Sequence, residues 1–80
     1  MPNQTTLDKL KLGQKCRVLS FVEVPNNKRR HLLDMGITRG TVIQLKTKAP
    51  FGDPVDVIIR GYELCLRKKD MSYVSVEVIE

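Results

Sequence analysis

Apolar and polar residues alternate through the second half of the chain, and this pattern limits the possible folds more than any other feature. Val55, Val57 and Ile59 occupy every second position, and three valines between residues 74 and 78 do the same. Successive side chains of a β-strand point to opposite faces, so this spacing predicts strands that bury one face. We therefore expect a mainly β fold, not a helical bundle.

The rest of the sequence extends this prediction to about five short strands and one short helix. The strands are expected over residues 14–24, 41–48, 55–60, 63–67 and 73–79. A helix is predicted over residues 28–35, capped by Asn26 or Asn27, with Gly36 just after its end and Ile37 folding back onto it. Thr6 is expected to cap a short helical turn that runs to Leu10, and residues 1–5 are polar and expected to be flexible.

An open sheet of this size would leave a long edge unpaired and prone to aggregation, which favours a small closed or nearly closed barrel with the helix at one end. The expected core combines inward-facing strand residues with three leucines that cover the end of the barrel. Its members are Val18, Ile43, Leu45, Val55, Val57, Ile59, Leu64, Leu66, Val74, Val76, Leu10, Leu32 and Leu33.

The length, the apolar runs and the charge of the sequence limit the classes of protein to which the chain can belong. At 80 residues the chain is expected to form a single domain over residues 1–80. No apolar run approaches the ~20 residues that span a bilayer, and the N-terminus does not resemble a secretory signal. These features predict a cytoplasmic protein. The net charge of +5 could attract nucleic acid. Because the basic residues are scattered along the chain and interrupted by acids, this charge is only weak evidence for nucleic-acid binding.

The chemistry-bearing residues give little support to catalysis. His31 is the only histidine, and no nucleophile elbow or phosphate-binding glycine loop is present. Asp53 and Asp56 are interpreted as a turn residue and a strand residue. Cys16 and Cys65 are too far apart for a metal or redox pair and are expected to be buried or half-buried. We predict no enzyme activity, no cofactor and no metal site within one chain, and a metal shared between two chains remains open.

Two segments are candidates for partner binding. A basic run ending in Arg29 and Arg30 lies at the start of the predicted helix, where the helix dipole disfavours positive charge. The run is either a solvated basic turn or a contact for an acidic partner surface or phosphate. Phe51 lies in a loop dense in turn formers, and it either folds back over the core or stays exposed as an anchor for a partner. The predicted contact residues are Arg29, Arg30, Pro50, Phe51, Gly52 and Asp53.

The order and spacing of several motifs resemble those of FeoA-type domains from about residue 7 to residue 77. These motifs are Leu7, Leu10 and Gly13, the runs 32–37, 40–41 and 49–54, and the pattern of Gly61, Leu64, Leu66, Arg67, Val74 and Val76. The resemblance implies an SH3-like barrel. It also implies a cytoplasmic accessory of the ferrous iron transporter FeoB, a membrane protein with a GTPase domain, which the domain binds and supports or regulates.

The sequence departs from the family pattern at two positions. Arg39 stands where the family often has proline, and Met71 stands where it often has alanine. Three alternatives stay open: a basic barrel that binds nucleic acid, a stand-alone relative of the SH3-like domain of DtxR-type metal-responsive repressors, and a direct metal-binding role. The oligomeric state also stays open, and homo-oligomers with exchanged strands are conceivable.

Overall fold

The computed structural model describes residues 3–80, which form one antiparallel sheet with short helical segments. Its six strands are β1 (Gln4–Thr6), β2 (Lys15–Phe21), β3 (Val42–Lys48), β4 (Val55–Ile59), β5 (Tyr62–Leu66) and β6 (Val74–Val78). A 3-10 turn spans Leu7–Lys9, helix α1 spans Asn26–Asp34, and helix α2 spans Lys68–Met71. In the sheet the strands follow the order β1-β6-β2-β3-β4-β5. The predicted mainly β fold is confirmed, with six strands where five were expected.

The buried core follows the period-two pattern. In β4, Val55, Val57 and Ile59 are buried while Asp56 and Ile58 between them remain partly exposed. All strands except β1 contribute to one core cluster, so the sheet wraps around a single core. The cluster contains Leu7, Leu10, Cys16, Val18, Leu32, Ile37, Ile43, Leu45, Val55, Val57, Ile59, Leu66, Met71, Val74 and Val76.

The additional strand lies in the N-terminal segment that was expected to be flexible. Gln4 pairs with Glu77 and Thr5 with Val76, so β1 extends the sheet beyond β6. The structure thus places Gln4 and Thr5 in a strand that the sequence did not predict, and Met1 and Pro2 lie outside the described residues. A strand of three polar residues has no apolar periodicity, and it is held by backbone hydrogen bonds to a distant part of the chain.

Helix α1 begins two residues earlier and ends one residue earlier than predicted, and the expectation that an asparagine caps its start was wrong. Pro25 occupies the N-cap position, where no side chain caps the helix. At the other end Gly36 has a φ of 93°. Its N–H donates to the Leu33 carbonyl at 3.0 Å, and the Ile37 N–H donates to the Leu32 carbonyl at 3.1 Å. This is the Schellman arrangement, and it places Ile37 in the core.

The predicted core contained two residues that the structure leaves at least partly exposed. Leu32 is 1% exposed, but its neighbour Leu33 is 39% exposed, and Leu64 in β5 is only partly buried. Consecutive residues of an α-helix point about 100° apart, so a short helix on a curved sheet buries a narrow stripe. The prediction that both leucines cover the core was wrong for Leu33.

Replacing these two leucines one at a time tests this difference. Leu32→Ala should lower the free energy of unfolding by about 2–5 kcal/mol, because it opens a cavity in the core. Leu33→Ala should lower it by less than about 1 kcal/mol, because Leu33 lies outside the core cluster and its truncation opens no core cavity. Urea denaturation measures both values. Equal losses for the two variants would contradict the assigned helix face.

Candidate partner-binding site

The loop between β3 and β4 presents an aromatic residue to solvent. The Gly52 N–H donates to the Ala49 carbonyl at 2.8 Å and closes a four-residue turn. Pro50 at its second position and Gly52 at its fourth are the residues that a type I turn favours. Phe51 lies between them and is 99% exposed. Of the two alternatives for Phe51, the structure shows the exposed one.

Asp53 anchors this loop to the rest of the domain. Its Oδ1 accepts a hydrogen bond of 2.7 Å from the backbone N–H of Lys68, in the first turn of α2. A carboxylate at this position satisfies an otherwise unpaired donor and suits the positive end of the helix. Asp53, a predicted contact residue, therefore has a structural role here, while Phe51 stands at the tip of the tethered loop.

Of the three basic residues at the start of α1, one forms an ion pair and the other two are exposed. The Lys28 Nζ lies 3.3 Å from Oδ1 of the largely buried Asp70. Arg29 and Arg30 are exposed, and within residues 3–80 neither has a carboxylate oxygen within 4.0 Å. Lys28 thus joins α1 to α2, and the two arginines remain available to a partner.

Arg29 and Arg30 lie along a groove beside α1, and this groove contains a residue that the sequence analysis did not select. Its largest section, about 540 Å³, lies between α1 and β2 and is lined in part by Arg29, Leu33 and Arg39. The exposed loop around Phe51 contributes none of the lining residues within the described chain. The structure therefore places the predicted contact residues on two separate surfaces. Arg39 was singled out by the sequence only as an expected departure from the family pattern, not as a contact residue.

Hydrogen bonds fix the position of Arg60, which together with Arg39 lines a further section of this groove. The Arg60 Nη2 donates to the Oγ1 atoms of Thr38 and Thr41 at 3.0 and 3.1 Å. Arg60 itself has a φ of 52°, in the two-residue turn with Gly61 between β4 and β5. A left-handed conformation costs a non-glycine residue about 1–2 kcal/mol. The hydrogen bonds to both threonines offset this cost and hold the guanidinium in place.

The two cysteines lie in different environments. Cys16 is buried in the core, and burial raises the pKa of its thiol to about 12. Cys65 is exposed, so the expectation that it is at least half-buried was wrong. Its pKa is raised by local desolvation and then by Asp56, whose carboxylate accepts a hydrogen bond from the thiol and repels the thiolate.

Residues 3–80 contain no group of three or more histidine, cysteine or acidic side chains arranged to hold a metal ion. His31 is exposed on α1. Neither α1 nor α2 in this part of the chain is long and apolar enough to cross a bilayer. The features that stand out on the described surface are thus the loop tip and the arginine-lined groove.

A six-stranded antiparallel sheet around one core, with short helices between its strands, defines a small SH3-like domain. A sequence profile of the FeoA domain matches residues 5–78. The chain belongs to the FeoA family.

Known relatives connect this family to ferrous iron transport. A protein of Porphyromonas gingivalis (strain ATCC BAA-308 / W83) that fuses Fe(2+) transport protein A to the Fe(2+) transporter FeoB is 34% identical over 73 residues. The match covers 91% of this chain but only 8% of the fusion protein.

Solved structures agree with the fold. An FeoA-like protein from Clostridium acetobutylicum is 39% identical with a TM-score of 0.89, over 100% of this chain and 92% of that one. A zinc complex of Stenotrophomonas maltophilia FeoA, described as an SH3 domain protein, is 26% identical with a TM-score of 0.78, over 91% and 89%. A manganese-dependent transcriptional repressor shares the fold alone, at 16% identity and a TM-score of 0.88, over 99% of this chain and 38% of the repressor.

Substitutions of Asp53 test its anchoring role. Asp53→Ala removes the acceptor of the Lys68 N–H and should lower the free energy of unfolding by about 0.5–2 kcal/mol. Asp53→Asn keeps a side-chain oxygen and should lose less. Thermal or urea denaturation compares the two variants with the wild type. If the asparagine variant were as unstable as the alanine variant, the hydrogen bond would not be the cause.

The raised pKa of Cys65 predicts how a neighbouring substitution changes its reactivity. The thiolate is the nucleophile in alkylation, so Asp56→Asn should lower the pKa and speed iodoacetamide labelling of Cys65 near pH 8. Mass spectrometry measures the rate, and Cys65→Ser serves as the control, since Cys16 should react slowly in the folded protein. A slower reaction in Asp56→Asn would contradict the conclusion that Asp56 raises the pKa of Cys65.

Proposed function

We propose that this protein is an accessory of ferrous iron uptake that acts by binding the cytoplasmic side of the FeoB transporter. The observation that supports this most is the fusion of a related domain to FeoB in one polypeptide of P. gingivalis. Covalent linkage gives two modules a high effective concentration for each other. Such a linkage is useful where the domain and the transporter act on one another.

The loop tip gives the proposed interaction a point of attachment. Phe51 is 99% exposed, and the turn that carries it is closed at Gly52 and tethered through Asp53. Phenylalanine is enriched in the buried centres of protein interfaces. A preformed turn also loses less conformational entropy on binding than a free loop would. In this proposal Phe51 inserts into an apolar pocket of FeoB, with Pro50 and Gly52 setting its position.

The proposal assigns the domain a binding role and no chemical step. Modulation of transport would follow if the domain had different affinities for two states of the transporter, because a ligand shifts an equilibrium only by that difference. The direction of the effect, support or restraint of uptake, is then set by which state of FeoB the domain prefers.

Binding of the intact chain to purified FeoB in lipid nanodiscs tests the function. The wild type should bind saturably, and Phe51→Ala should weaken the affinity about fivefold or more, which corresponds to the loss of an interface anchor worth at least 1 kcal/mol. Biolayer interferometry measures both dissociation constants. Because Phe51 is fully solvated, its replacement should leave the unfolding midpoint unchanged.

Leu12→Ala is a matched control, because Leu12 is also an exposed apolar residue but lies near the start of β2. It should bind FeoB as the wild type does. Absence of saturable wild-type binding would refute the proposed function. Wild-type affinity in Phe51→Ala would remove the loop tip from the interface and leave the function standing.

A further inference from the structure

The groove beside α1 consists of three adjoining sections that share lining residues. The section between α1 and β2 shares Arg29 and Leu33 with a second one along the outer face of α1. It shares Arg39 with a third section, which ends at Val42 and Arg60. The three sections measure about 540, 440 and 400 Å³. We call the whole feature the arginine groove.

The positive charge of this groove comes from one residue type. Four of the six arginines of the sequence line it, and in the described part of the chain no lysine does. Arginine is the cation enriched in protein interfaces, where lysine is depleted. The planar guanidinium is weakly hydrated and binds a carboxylate with two parallel hydrogen bonds, which favours it where charges must be partly desolvated.

These arginines lack acidic partners in the described structure. Lys15, Arg17, Lys28 and Lys46 each lie within 4.0 Å of a carboxylate elsewhere on the surface. Between residues 3 and 80, no such pair involves a groove arginine. Two acids, Glu23 and Asp34, belong to the lining, so the groove keeps a positive balance and is not uniformly basic.

Apolar side chains run between the arginines. Leu33 is 39% exposed and lies between the first two sections of the groove, and Val42 is 42% exposed in the third. Phe21 and Val24 are partly buried and complete the apolar lining of the largest section. A partner therefore meets apolar surface flanked by unpaired guanidinium groups.

We propose that the arginine groove binds an acidic polypeptide segment, with an apolar side chain seated on Leu33 and carboxylates on Arg29 and Arg39. The proposal rests on the proposed function to the extent that FeoB supplies the segment. Charge complementarity selects acidic residues, and the exposed leucine requires an apolar residue among them. Arg60, fixed by Thr38 and Thr41, offers its remaining N–H groups to a further carboxylate.

The same surface is less suited to nucleic acid. A phosphate backbone is charged at every nucleotide and would pass close to Glu23 and Asp34, whereas a polypeptide can place its carboxylates at the arginines and uncharged residues beside these two acids. Single-stranded nucleic acid is commonly bound by aromatic faces on which bases stack, and the aromatic residue that the described lining contains, Phe21, is partly buried in the core. The observations therefore favour a polypeptide.

Titration of the ¹⁵N-labelled full chain with a synthetic peptide tests the inference. The probe carries aspartates and glutamates around two leucines, and its counterpart has asparagine and glutamine in their place. The acidic peptide should bind at least about tenfold more tightly, with the largest amide shifts at Arg29, Leu33 and Arg39. Equal binding of both peptides, or shifts confined to another face, would overturn the proposal.

Variants assign the interaction to the groove. Arg39→Glu and Leu33→Asp should each weaken binding of the acidic peptide about tenfold or more. Arg67→Glu makes the same change in charge at an arginine outside the groove and should weaken it less than about twofold, by long-range electrostatics alone. Preferential displacement of the peptide by a single-stranded DNA oligonucleotide would assign the groove to nucleic acid and refute the proposal.

Binding to FeoB in nanodiscs separates this inference from the proposed function. If the wild type binds FeoB but Arg39→Glu and Leu33→Asp bind equally well, the groove inference fails and the proposed function stands. If the wild type binds the acidic peptide but not FeoB, the proposed function fails and the groove remains a site for acidic polypeptide. Loss of FeoB binding in both groove variants but not in Arg67→Glu supports both.

Discussion

The register between β3 and β4 is the constraint on which the rest of the structure depends. Ile43 pairs with Ile59 and Leu45 with Val57, so four large apolar side chains share the inner face of the sheet. Burying each such side chain is worth about 1.5–3 kcal/mol before the cost of ordering the chain is counted. A slip of one residue would turn them all toward solvent. The turns and loops at the strand ends therefore have fixed positions.

Polar contacts at the ends of the strands hold the connecting loop and turn in defined positions. Asp53 holds the β3–β4 loop to α2, and Arg60 holds the β4–β5 turn against Thr38 and Thr41. The Schellman end of α1 buries Ile37 and so sets the angle at which the helix leaves the sheet. Functional side chains commonly lie on loops that a rigid scaffold positions. The loop tip at Phe51 has this arrangement, whereas the arginine groove combines Arg29 and Leu33 of α1 with residues of the neighbouring loops and strands.

The two surfaces differ in physical character and could act together on one partner. Phe51 is a single apolar group on a tethered tip, and its contribution would come from burial in a pocket. The arginine groove offers distributed charge around Leu33 and would contribute recognition of acidic sequence. Because SH3-like folds carry unrelated functions, the specificity of this chain resides in such side chains and not in its sheet. Arg39, a departure from the family pattern, lies in the groove and is a candidate determinant of that specificity.

The sequence by itself determined the features that depend on neighbouring residues. Enrichment in β-forming residues predicted β2, and period-two alternation predicted β3 to β6 and most of the core. Gly36 predicted where α1 ends, because side-chain direction and glycine conformation are local properties. Only the tertiary structure decided which residues meet across long distances. It showed that polar β1 pairs with β6, that Leu33 lies outside the core and that Arg39 joins Arg29 in one groove. These outcomes depend on long-range pairing and on the curvature of the sheet, which no local pattern encodes.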